Sequence, residues 1–378
     1  MSPVPPEPLS AGLFSHPRRS ARRPGPGRLS VTLAAAVSVA LLPGVAAHAV
    51  AAPAGTSPHK DRLENRLYVT NAGSDNVSVI STRNRAVVGD PIPVGSSPEG
   101  VATDNVRGRA YVTNGFSNTV SVIDTDTDTV VGDPIPVGSF PSEVAIDSRR
   151  GRAYVTNFSS DTVSVINIDT NTVVGSPIPI GDGPQGVAID PVRGRAYVAD
   201  FGSNTVSVID TDTDTVVGDP IPVGRFPVGV AIDTRRDRVY VANNGSNTVS
   251  VINTRTDAVV GNPIPVGDFP AGVATDHRLG RAYVTNSGSN SVSVIDTDTD
   301  TVVGTPIPVG TNPAGVVTDA VCGRAYVANN GSNTVSVIST RTDAVVGTPI
   351  PVGSKPQGLA LSADSKCGSP TPGWPAGE

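Results

Sequence analysis

From residue 66 onward the chain is a succession of short runs in which Val, Ile, Leu and Tyr alternate with Ser, Thr and Ala, each run closed by Gly, Asn, Asp or Pro. Thr119-Val120-Ser121-Val122-Ile123 has the period of two that puts one face of a strand against a core and the other toward a neighbour. The runs are too short for helices, and 40 Gly with 35 Pro would interrupt helices throughout. In the first complete unit four runs follow one another: Pro98 to Asp104, Arg109 to Asn114, Thr119 to Ile123 and Thr129 to Val137. The pattern predicts four strands joined by tight turns.

The unit recurs. All seven tyrosines, Tyr68, Tyr111, Tyr154, Tyr197, Tyr240, Tyr283 and Tyr326, are spaced 43 residues apart. Four strands in such a period is the size of a propeller blade. An open solenoid is the competing architecture, and the phase of the repeats decides against it. The first unit begins at its second strand, near Arg66, while the chain ends with a surplus first strand, Gln357 to Leu361. That strand fits the vacancy in blade one and closes a ring, which removes sheet edges an open stack would have to protect. The predicted fold is therefore all-β: a seven-bladed β-propeller of four-stranded antiparallel blades over residues 66–368.

Tyr68-Val69-Thr70-Asn71 recurs unchanged at Tyr111, Tyr154 and Tyr283, and as Tyr-Val-Ala-Asn or Tyr-Val-Ala-Asp at Tyr197, Tyr240 and Tyr326. With the Asn-Thr-Val-Ser-Val-Ile and Pro-Ile-Pro-Val-Gly segments, the chain resembles the YVTN family of β-propeller repeat proteins. The resemblance implies the fold and is silent on activity. Proteins of that type include surface-layer proteins, lactonase-like propellers, a streptogramin lyase and domains of quinone or copper enzymes.

The segment before the repeats has another character. Arg18, Arg19, Arg22, Arg23 and Arg28 precede an apolar run from Val31 to Leu42 and the small residues around Ala47-His48-Ala49. Residues 1–49 read as a secretory signal peptide, with cleavage after Ala49 or Ala51, and residues 50–65 as a lead into the first blade. The apolar run is shorter than the ~20 residues needed to span a bilayer. The expected location is secreted or extracellular, by the general secretory or the twin-arginine route. Residues 369–378, with Trp374, read as a disordered tail.

Removing five Arg and one Glu with the first 49 residues leaves a net charge of −10. Nucleic acid is thus a poor partner, since no basic stripe remains to displace counterions. A protein, glycan or small molecule stays open as the ligand, and a monomer is expected.

A residue present in every blade serves the blade. Asp104, Asp147, Asp190, Asp233, Asp276 and Asp319 each stand five positions before an Arg, a spacing that suggests ion pairs across the first hairpin. The tyrosines are expected between blades with their hydroxyls hydrogen-bonded. Asp-Thr-Asp-Thr-Asp at Asp124, Asp210 and Asp296 offers either oxygen ligands for Ca²⁺ or an ordinary turn. Three other blades place Arg83, Arg255 and Arg341 inside that turn, which favours the turn; no cofactor is expected otherwise.

Residues that break the repeat carry more information. Phe140, Phe226 and Phe269 precede the Pro that opens a first strand, and Phe116, Phe158 and Phe201 lie in the turns joining second to third strands. Both sets emerge on one face of an up-and-down blade, here called the loop face. Beside them stand Asp182, Arg225, Asp268 and Lys355, and Glu143 replaces the Gly of most blades. Aromatic and charged groups around a channel mouth compose a recognition surface. The expected ligand-binding set is therefore Phe140, Glu143, Asp182, Arg225, Phe226, Asp268, Phe269 and Lys355.

Chemistry is sparse beyond the signal segment. His59 and His277 are the only histidines there, and no Ser-His-Asp arrangement can be drawn. A non-enzymatic binding module is the expected function. A hydrolase with a metal held near Glu143, Asp182 and Asp200 is the alternative. Cys322 and Cys367 fall in corresponding turns of blades seven and one, where a disulfide could join them if geometry allows.

Overall fold

The computed structural model of the protein describes residues 65–362. Those residues form seven antiparallel sheets and no helix. In blade two the inner strand Pro98–Asp104 is followed by the second, Arg109–Asn114, and the third, Thr119–Asp124. The outer strand is broken into Thr129–Val130 and Ile135–Pro136, both paired with the third. Five blades have this broken outer edge. In blades three and six the same stretch is one bulged strand, Thr172–Pro179 and Thr301–Pro308. Both forms turn at a Gly of positive φ, such as Gly132 at 70°, and at a Pro that donates no hydrogen bond.

Blade one is completed as the phase of the repeats requires. Its inner strand is Pro356–Ser362, which pairs antiparallel with Arg66–Asn71: Arg66 opposite Ser362, Tyr68 opposite Ala360. The first and last described strands thus share one sheet, and neighbouring inner strands touch one another around the whole ring.

The core consists of seven seams between blades, because each strand alternates its two faces between adjoining sheets. Tyr68, Val77, Val79 and Ile92 of blade one pack on Val101, Ala110, Val112 and Ile123 of blade two. The closing seam sets Tyr326, Val335, Val337 and Ile350 of blade seven against Leu67, Val69 and Ile80 of blade one. All seven tyrosine side chains are buried. Six of the hydroxyls donate across a seam to an acid or amide 60 residues on, as in Tyr68 to Asp128 Oδ1 at 2.7 Å and Tyr154 to Asp214 Oδ1 at 2.6 Å. Burial pushes the Tyr111 hydroxyl up to about 12, so these latches stay protonated donors at any physiological pH.

One expectation about charge is corrected. Asp104 lies directly opposite Arg109 in the ladder, yet the two do not pair. Asp104 Oδ1 instead accepts the N–H of Val106, and Oδ2 accepts Arg107 at 2.9 Å, so the carboxylate is consumed in closing its own turn. Arg109 turns the other way, to Asp124 on the third strand. Arg107 also reaches the next blade at Asp169, 2.6 Å away, and Arg150 and Arg236 repeat this with Asp212 and Asp298. The acids of the Asp-Thr-Asp-Thr-Asp turns are therefore claimed by bonds within and between blades: Asp210 by Arg195, Asp212 by Arg150, Asp214 by Tyr154.

Candidate functional site

Every inner strand enters its blade through one device. The residue before its Pro has positive φ in all seven blades: Ser97, Phe140, Gly183, Phe226, Phe269, Asn312 and Lys355, at 50 to 60°. Its N–H donates to an Asn or Asp side chain in the preceding blade, as Phe140 does to Asn118 and Phe226 to Asn204, both at 2.8 Å. The residue before it donates to a Ser hydroxyl of its own blade, as in Arg225 to Ser246 at 2.6 Å. Gly and Asn suit this left-handed conformation; Phe does not, and it costs about 1–2 kcal/mol there. Phenylalanine stands at three of these positions, Phe140, Phe226 and Phe269.

Two of them join three turn phenylalanines in an arc. Phe116, Phe140, Phe158, Phe201 and Phe226 follow one another with ring centroids 5.6, 6.1, 6.1 and 4.8 Å apart, the first three contacts edge-to-face and the last stacked. Gly183 makes the middle of the arc possible. A Cβ there would lie 3.0 Å from Phe158 Cε2, so its absence lets Phe158 lean over blade four toward Phe201. The guanidinium of Arg225 sits 5.4 Å from the Phe226 ring centre, extending the arc with a cation. Phe116 is 72% exposed, an unusual state for so large an apolar ring.

Beside the arc the axial channel opens as a cavity of about 490 Å³ lined by the inner strands of all seven blades. Around the ring, a glycine two places after each strand's Pro lets neighbouring inner strands close up; a Cβ on Gly229 would stand 2.3 Å from the Ala271 carbonyl oxygen. Only blade three departs, with Glu143. Its carboxylate leans back over Gly100, where an added Cβ would come within 2.5 Å of Oε1, and that same oxygen accepts the N–H of Val144 at 3.2 Å.

Glu99, on the neighbouring strand of blade two, shares the cavity and accepts the Ser97 hydroxyl at 2.8 Å. Burial pushes the Glu143 carboxyl up to about 7, with Glu99 adding to the shift, and burial raises Glu99 as well. Ser142, Gln185 and Gln357 supply the other polar side chains of the wall, and among the described residues no Lys, Arg or His lines it.

Of the residues expected from sequence, Phe140 and Glu143 line the cavity. Phe226 and Arg225 belong to the arc beside it and not to its lining. Phe269 stands apart at 55% exposure, packed over Gly288 of its own blade. Asp182, Asp268 and Lys355 are exposed at the rim. Asp200 is buried under Gly181 at the position held by Asn in the other blades, and it accepts Thr205 and Ser207 where those asparagines donate. Burial lifts its carboxyl to about 6. Glu143, Asp182 and Asp200 are thus not gathered at one point, and among the described residues no three His, Cys, Asp or Glu side chains are placed to hold a metal.

Glu99 was missed. The signal was present: the residue after each opening Pro reads Glu, Ser, Gln, Val, Ala, Ala and Gln around the ring, while its neighbours repeat. Cys322, in the turn after the inner strand of blade seven, donates its N–H to Asp319 at 2.9 Å, and Cys367 lies outside the described residues.

No protein-family model matches the chain, and no curated protein does. Solved structures do match. Hydrazine synthase of Kuenenia stuttgartiensis superposes with a TM-score of 0.64 at 24% identity, over 74% of this chain and 93% of that one. A functionally unknown protein from Desulfotomaculum acetoxidans does so with 0.68 at 18% identity, over 79% and 98%. Dihydro-haem d1 dehydrogenase NirN gives 0.58 at 15%, over 77% of this chain and 63% of that one. At such identities the likeness is one of fold: this chain is similar to β-propellers that include enzymes and proteins without an assigned role.

Proposed function

We propose that the protein is an exported member of the YVTN repeat family that binds its ligand on the loop face, at the head of the axial channel. The observation that carries this reading is the arc of five phenylalanines beside an open cavity. Two of the five are held in a left-handed conformation, at positions that the other blades fill with Ser, Gly, Phe, Asn or Lys. Strain retained for the sake of a side chain points to a site, and loops on a rigid scaffold are where binding concentrates. Export is supported by the basic and apolar pattern of residues 1–49, outside the described region.

The test is a binding screen of small aromatic and aliphatic compounds of each charge, together with glycans. Phe140→Ala and Phe226→Ala are expected to weaken any specific binder at least tenfold, while Val106→Ala and Arg149→Ala, on the opposite face, leave it unchanged. Binders that follow the second pair would overturn the assignment. A hydrolase remains the second reading because Glu143, with its carboxyl near 7 in a cavity, suits a general base. Saturable turnover of a lactone panel, lost in Glu143→Gln, would establish it.

A further inference from the structure

The chemistry of the cavity says what kind of ligand fits, and the inference rests on the binding reading above. Its charged lining is two acids, Glu99 and Glu143, on adjacent strands, with no base to answer them. Each carboxylate has one donor from the protein, Ser97 and Val144 respectively. An ionised carboxylate offers about four acceptor sites, so most of this capacity faces the cavity. A buried charge is tolerated when something pairs it. Glu143 moreover occupies a position where close packing selects Gly in every other blade, so its side chain is not there to build the ring.

We infer that the head of the channel binds an organic cation, an ammonium group seated between Glu99 and Glu143 with its apolar body against Phe140 and the aromatic arc. Three N–H donors of an ammonium group can satisfy both carboxylates and a Gln185 or Gln357 amide oxygen at once. The neighbouring ring faces attract the same positive charge. A cavity of about 490 Å³ has the volume of a small-molecule site rather than of one ion. A hard divalent cation would want six or more oxygens at short range, and two carboxylates on separate strands do not assemble that shell. Arg225 and Lys355 stand exposed at the rim, outside the lining.

Titration calorimetry at pH 8 with phenethylammonium, cadaverine and tetramethylammonium tests this, with phenylacetate, 2-phenylethanol and calcium chloride as the other arms. At least one ammonium compound is expected to bind, and Glu143→Gln to weaken it tenfold or more. Glu143→Gly, which restores the residue of the other blades, should do the same while folding normally. Among the described residues Glu99 is the only other titratable group in the lining, so affinity is expected to fall as pH drops below about 7 and Glu143 takes up its proton. Ammonium binding indifferent to both variants overturns the inference, as does calcium binding with the same dependence on Glu143 in place of ammonium binding. Phenylacetate or 2-phenylethanol bound through Phe140 without any ammonium compound sinks the cation while sparing the loop-face reading. Binding of nothing across the screen and these arms sinks both.

Discussion

Glu143 shows how one residue can stand out from a repeat and be costly in stability. Its carboxyl moves from an ordinary value near 4.5 to about 7 on folding because the cavity removes water from it. Between those values the folded protein holds a proton that the unfolded chain has released, so stability falls as pH rises through that window and levels off above 7. The penalty at pH 8 is on the order of 3 kcal/mol, since holding a proton over one further pH unit is worth about 1.4 kcal/mol. Glu143→Gln is therefore expected to stabilise the protein by about that much at pH 8 and to have no effect near pH 4, measured by denaturant unfolding at both values. Equal stability of the two proteins at pH 8 would refute the burial of this charge. The sequence betrayed Glu143 because it interrupts a run of glycines. It concealed Glu99, whose position varies from blade to blade and which stands out only once it is seen to share the cavity with Glu143.

At the level of the strand, the repeats made the ends of elements readable. The inner, second and third strands close where Asp, Arg and Asn punctuate the runs, and the surplus strand at the end pairs as its phase demanded. The outer strand was not readable in the same way, because Gly and Pro in its middle leave two short pieces or a bulge according to local hydrogen bonding. The charge pairing was misread for a related reason. Facing positions in a ladder fix which backbones meet, whereas long Arg side chains choose among several acids, and Asp104 is already bound within its own turn. What the ring requires of its inner strands is sharper. Because a Cβ on Gly229 would fall 2.3 Å from the carbonyl oxygen of Ala271, backbone must move to admit a methyl group there. Gly229→Ala is expected to destabilise by about 2 kcal/mol or more, since overpacking against backbone has no flexible side chain to yield. Gly89→Ala, whose Cβ would meet nothing within 4 Å, carries only the conformational cost of a positive φ, about 1 kcal/mol. Chemical denaturation of both variants compares them, and an equal loss would contradict the close approach of inner strands.

For the molecule as a whole the joint that matters is where the ring closes. Every seam, that between blades seven and one included, is crossed by continuous chain, here from Ile350–Pro351 into Pro356–Ser362; the joint without chain continuity lies inside blade one, between Pro356–Ser362 and Arg66–Asn71, and at the seam before it Arg85 stands where the other blades offer Asp or Asn to the tyrosine hydroxyl. Closure therefore leans on the pairing of Pro356–Ser362 with Arg66–Asn71 and on the apolar contacts of Leu67, Val69, Leu359 and Leu361 with blade seven. A disulfide between Cys322 and Cys367 would add at most ~3–4 kcal/mol by loop entropy, tying the segment after the closing strand to the neighbouring blade. Stopping the chain after Lys355 removes that strand, exposes the edge of Arg66–Asn71 and opens the closing seam. Such an edge is a template for pairing between molecules. The truncated protein is expected to lose its single cooperative melting transition and to associate, seen by calorimetry and light scattering. Stopping after Gly368 instead keeps the strand and both cysteines, and should melt as the full chain does. Retention of a single transition at unchanged temperature after the longer truncation would mean that six complete blades hold the ring without its clasp.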